Sequence, residues 1–144
     1  MYIAGEWFRC ADDVIRPVVR AEMRGPNDNW VEVVFLVDTA ADRTTLSAQI
    51  LRRLGQRPLM PVQQLAGLGG IVQAVLIQST IYFTREGGGK VPVRGQYAAV
   101  TEYDSLDMSV LGRDVLQYFA LIVDGPGKAV CLINQNHRYT ITAS

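Results

Sequence analysis

The chain has 144 residues and a mass of 15.9 kDa, which suits a single domain. Its hydrophobic share is 49% and its charged share 19%, so a wholly disordered chain is excluded. Fourteen basic residues balance fourteen acidic ones, which argues against nucleic-acid binding through bulk electrostatics. Along the chain, Met1 to about Asp13 is an N-terminal extension with no assigned element, and it lacks the basic-then-apolar order of a secretory signal. Val14 to Met23 is rich in β-branched residues and is expected to be a strand, with Pro17 at an edge or bulge. Gly25 to Asn29 has turn composition, and Val31 to Val37 is almost wholly apolar, so the two runs predict a hairpin with a buried second strand.

Ser47 is placed to cap a helix running to about Leu54, and Gly55 stands where such a helix stops. Ile50, Leu51 and Leu54 share one face of that segment, and Arg52 and Arg53 face away. Pro61 to Leu65 then leads to a glycine-rich bend at 67–70. Strands are expected over 71–77, 80–84 and 91–100, with a loop at Gly87-Gly88-Gly89. A second short helix is expected from Arg113 to about Phe119. Ala120 to Val123, the turn 124–127 and Ala129 to Ile133 carry a hairpin signal. Many short strands with one or two short helices point to a mainly β fold, a small closed or partly closed barrel.

Most catalytic chemistries find no residues here. There is one histidine, His137 in a polar tail, which leaves little for a zinc site or a Ser-His or Cys-His centre. Neither a metal nor a cofactor is expected. Gly87-Gly88-Gly89-Lys90 has Val91 where a phosphate loop needs Ser or Thr, and Thr84 where it needs glycine. The bend at 67–70 lacks the third glycine of a dinucleotide fingerprint, since Val72 stands there. Cys10 and Cys131 are either a pair or two reduced thiols, the latter fitting a cytoplasmic protein. No apolar run is long enough to span a bilayer, so no membrane partner is expected. One feature remains: an apolar strand, Phe35-Leu36-Val37, runs directly into Asp38. A carboxylate there is costly to desolvate, although Asp38 is also a good residue to begin an ordinary turn.

Three segments in order resemble the retropepsin-like aspartic proteases. Phe35-Leu36-Val37-Asp38-Thr39-Ala40-Ala41-Asp42 is similar to the family's active-site segment. Ala66-Gly67-Leu68-Gly69-Gly70 is similar to its flap tip, and Val110-Leu111-Gly112-Arg113-Asp114 to its apolar-apolar-Gly-Arg-Asp/Asn segment. The resemblance implies a retropepsin-like closed β-barrel, one lobe per chain, as a single domain over 1–144 with a C-terminal hairpin and tail at 120–144. It implies an aspartic endopeptidase acting on extended polypeptides. Since only one such aspartate segment is present, the second carboxylate would come from a homodimer partner. By resemblance Asp38 is catalytic, and Thr39, Ala40 and Arg113 support the site, Arg113 through Asp42. Asp42, Gly67, Leu68 and Gly69 would bind substrate. The family usually has glycine where Ala40 stands, and its viral members end in a short strand rather than a hairpin and tail. The alternative is a catalytically inactive module of the same fold that binds peptides or dimerises.

Overall fold

A computed structural model describes residues 1–67, 70–134, 140 and 142–143. The N-terminal extension folds into two short strands, β1 (Tyr2–Ala4) and β2 (Glu6–Arg9). The hairpin follows as β3 (Ile15–Arg24) and β4 (Trp30–Val37), joined through a single 3-10 turn at Pro26–Asp28 and paired antiparallel from Val18↔Leu36 to Arg24↔Trp30. In β4, Val31, Val33 and Phe35 are buried, while Val34, Leu36 and Val37 are only half-buried. The strand therefore obeys period-two alternation more closely than its apolar composition suggests.

Next come β5 (Thr45–Leu46) and α1 (Ala48–Leu54). Ser47 Oγ accepts a hydrogen bond from Ile50 N–H, and Gly55 takes the left-handed conformation (φ 62°) that ends the helix. Leu54 is buried, Ile50 and Leu51 pack partly against the core, and both arginines face outward. β6 (Met60–Gly67) and β7 (Gly70–Thr84) form an antiparallel hairpin ending at Gly67↔Gly70. β7 is one continuous strand, where the sequence reading expected two. Gln78 and Ser79 keep the ladder intact opposite Gln96 and Gly95, since polar side chains do not break a strand whose backbone stays paired. β8 (Lys90–Val100) pairs with β7 along its length. β9 (Ser109–Leu111) and α2 (Arg113–Leu116) follow, the helix ending three residues earlier than expected. The tail hairpin is β10 (Ala120–Asp124) and β11 (Ala129–Ile133). Cys10 and Cys131 are both free thiols.

Eight strands form one sheet in the order β2-β3-β4-β9-β5-β8-β7-β6, and the pair Glu22↔Tyr82 joins β3 to β7. That pairing closes a barrel of six strands, with β2 and β6 outside the ring. A separate sheet, β1-β11-β10, shares the core through Ile3, Val130 and Leu132. Phe35, Phe83, Met23, Leu46, Ile77 and Ile81 are fully buried at its centre. Each such side chain contributes about 1.5–3 kcal/mol of burial. Phe35 thereby anchors the strand whose end carries Asp38.

The consecutive strands β4 and β5 are not neighbours. β9 lies between them, parallel to β4 (Phe35↔Ser109, Leu36↔Val110, Val37↔Leu111) and antiparallel to β5 (Thr45↔Val110). The loop 38–44 must therefore cross the end of β9 and meet the start of α2. This crossing builds the site. No helix among the described residues is long and apolar enough to cross a membrane.

Candidate active site

Asp38 is the first residue past β4. Its N–H donates to the Leu111 carbonyl (3.1 Å), which extends the β4–β9 ladder by one residue. Its Oδ1 accepts from Ala40 N–H (2.9 Å), and its carbonyl accepts from Ala41 N–H (3.3 Å). This turn holds the carboxylate against its own loop and leaves the side chain half-buried. Thr39 and Ala40 are exposed. Ala40 is not among the residues with positive φ, so its methyl group imposes no backbone strain.

Arg113 opens α2 and faces this loop. Its Nη1 donates to the Thr39 carbonyl (2.8 Å), its Nη2 donates to Asp42 Oδ1, and its backbone N–H donates to the Ala41 carbonyl (2.8 Å). One residue thus grips the loop at three points. The forked guanidinium reaches two acceptors at once, which an ammonium could not do in the same geometry.

Beneath the loop lies a buried network to which the sequence reading assigned no role. Asp114 Oδ1 accepts from Thr44 N–H (2.8 Å), Thr44 Oγ1 (2.7 Å) and Val115 N–H (2.9 Å), and Thr44 Oγ1 accepts from Gly112 N–H (3.0 Å). Thr44 is fully buried, and these bonds satisfy it. Gly112 is required by space. A Cβ there would lie 2.5 Å from the Arg43 carbonyl carbon and 2.8 Å from Thr44 N. Asp114 also acts on its surroundings. Burial pushes the Tyr97 phenol above the usual tyrosine range, and the Asp114 carboxylate and Tyr118 add to that shift. Sequence offered one hint of this network, an acidic residue in the first turn of a helix. Its partner lies 70 positions away.

The structure brings together Asp38, Thr39, Ala40, Asp42 and Arg113. Gly67 ends β6 at the tip of the β6–β7 hairpin, opposite Gly70. Leu68 and Gly69, and also His137, lie outside the described residues. Among the described residues no three His, Cys, Asp or Glu side chains gather in a group that could hold a metal ion. Among the described residues the chain supplies one loop of this kind, at residues 38–44.

No protein-family model and no curated protein matches the chain. Among solved structures, a retropepsin-like aspartic protease from Rickettsia conorii matches with a TM-score of 0.55 and 20% identity, covering 92% of this chain and 97% of that one. EIAV protease complexed with the inhibitor HBY-793 matches with a TM-score of 0.47 and 25% identity, over 71% of this chain and 86% of that one. The chain has the retropepsin-like fold, an assignment that rests on the Rickettsia structure and extends over nearly its whole length.

Proposed function

We propose that the protein is an aspartic endopeptidase that acts as a homodimer, with Asp38 of each copy forming one catalytic dyad. The observation that carries this reading is the fixed Asp38 loop: a carboxylate at the end of a core strand, held by its own turn and by three bonds from Arg113. The fold likeness supports it.

Chemistry requires the second copy. Two carboxylates brought to ~3 Å cannot both ionise, so the pair keeps one proton, as in aspartic proteases generally. The ionised member removes a proton from a water held between them. The protonated member donates a hydrogen bond to the scissile carbonyl, and the water attacks the carbonyl carbon. The tetrahedral intermediate then collapses as the nitrogen leaves with a proton from the dyad. The titration belongs to the pair and not to either group. A two-fold axis through the Asp38 loops places identical groups face to face. Thr39 would brace the two loops against each other, and Arg113 and Asp42 would hold the loop in position. An extended peptide would lie between Asp42 and the hairpin tip at Gly67, Leu68 and Gly69, bound by strand-like hydrogen bonds.

The test is cleavage of unfolded polypeptides from acid to neutral pH. Hydrolysis should be favoured by acid, blocked by a statine-type transition-state mimic, and abolished in Asp38→Asn. Intact folding and dimerisation with no hydrolysis under any of these conditions would instead identify a peptide-binding module of the same fold. Ala40, placed where the family carries glycine, is the position to revert to Gly in that case.

A further inference from the structure

A cleft of about 340 Å³ opens at the end of the barrel away from the Asp38 loop. Arg24 pairs with Trp30, the first residue of β4, whereas Asp38 follows the last. At ~3.3 Å per residue the two ends lie roughly 25 Å apart along the strand, so this cleft is separate from the Asp38 loop. The residues that line it all carry polar groups: Arg24 and Arg94, Gln56 and Gln78, and Ser79, Thr80 and Tyr82. Among the described residues no carboxylate lines it. Neither arginine belongs to an ion pair among the described residues.

One of the two arginines is held in place before any ligand arrives. The Arg24 guanidinium stacks 4.0 Å from the Trp30 ring centroid, and its Nη1 donates to the Asp28 carbonyl (3.1 Å). Trp30 in turn meets Tyr82 edge-on, with centroids 5.0 Å apart. Arg94 stands directly across from Thr80 in the β7–β8 ladder. Gln56 Nε2 donates to Ser79 Oγ (3.2 Å), which ties the loop after α1 to β7. Glu22, which stands opposite Tyr82, is taken up by Lys90.

We propose that this cleft binds a phosphate group, free or carried by a small phosphomonoester. Two guanidinium groups surrounded by amide and hydroxyl donors suit a dianion with several acceptor oxygens. A planar carboxylate would be met by a single guanidinium and would leave the rest of the donor set unused. The volume lies at the small end of the range for ligand sites, which leaves room for an organic group beyond the phosphate.

The test is a titration of the full chain at constant ionic strength with inorganic phosphate, phenyl phosphate and benzoate. It is followed by Trp30 fluorescence and by amide shifts of Thr80, Tyr82 and Arg94. Saturable binding of a phosphate probe is expected, weakened about tenfold or more in Arg94→Gln, with partial recovery in Arg94→Lys. Tighter binding of phenyl phosphate than of inorganic phosphate assigns the site to a monoester; equal binding assigns it to the free ion. Arg94 is exposed, so its replacement leaves the barrel intact, and Arg24→Gln gives a second, independent loss. Absence of saturation, benzoate binding as tight as phenyl phosphate, or unchanged affinity in both arginine variants overturns the proposal.

Discussion

Arg113 separates what holds the fold from what positions the Asp38 loop. Its side chain is 55% exposed and that of its partner Asp42 is 83% exposed, so the ion pair itself contributes at most about 1 kcal/mol. The same guanidinium also fixes the Thr39 carbonyl, one residue beyond Asp38. Under the proposed reaction, Arg113→Ala should therefore leave the denaturant midpoint nearly unchanged while lowering kcat/KM roughly 10²-fold through misplacement of the carboxylate. Arg113→Lys should not rescue it, because an ammonium cannot span both acceptors. Tyr97 makes the opposite case, a residue whose effect is on stability. It is buried, its hydroxyl donates to the Val93 carbonyl (2.6 Å), and its pKa is raised above that of an exposed tyrosine. The folded state then keeps a proton that the unfolded state releases from about pH 10 upward. Its stabilising effect is fully present below about pH 10 and is lost as the pH rises toward the folded value. Tyr97→Phe should cost about 1 kcal/mol at neutral pH through the stranded carbonyl, and its deficit relative to wild type should narrow in melts above pH 10.

At the scale of elements, short-range signals were legible and long-range ones were not. The β3–β4 hairpin follows from two β-branched runs around a Gly-Pro-Asn turn, and α1 from a Ser cap and a Gly stop, all local features. β1 and β2 were missed because three or four residues carry no periodicity to detect, and both are strands only through their partners β11 and β3. β9 is three residues long and owes its existence to its place between β4 and β5, more than sixty positions away in sequence. In the candidate site the 38–42 segment is a local signal, the Arg113–Asp42 link, 71 positions apart, came only through the family resemblance, and the meeting of Thr44 with Asp114 had no signal that named the partner. Ser109 shows how such a short strand secures a distant helix. Its Oγ accepts from the N–H of Ser47, the cap of α1, at 3.0 Å in a buried setting. Ser109→Ala strands that N–H and should cost about 1–3 kcal/mol. Ser47→Ala keeps the N–H paired and removes only a long cap bond of 3.4 Å, so it should cost less, about 0.5–1 kcal/mol. Chemical denaturation of the two variants reads the difference directly, and a larger loss in Ser47→Ala would show that the cap, and not β9, secures the helix.

The whole molecule poses the question of number. One chain closes its own barrel around its own core, so it is expected to fold without a partner. It carries one Asp38 loop, so under the proposed reaction it needs a partner to act. Folding and activity should then separate on dilution: the melting transition persists while specific activity falls, because active sites form in proportion to the square of chain concentration once dimers dissociate. Mixing sharpens the test. If wild-type and Asp38→Asn chains are combined in equal amounts and exchange freely, about a quarter of the dimers carry two wild-type loops and about half carry one. A dyad with a single ionisable member cannot share a proton, so the mixed dimers should be inactive. Activity per wild-type chain should fall to about half and continue falling as the variant is added in excess. A monomeric enzyme would show no such loss, since each wild-type chain would work regardless of its neighbours. Measured as initial cleavage rate against mixing ratio, a curve through the origin with upward curvature supports the shared dyad, and a straight line removes it.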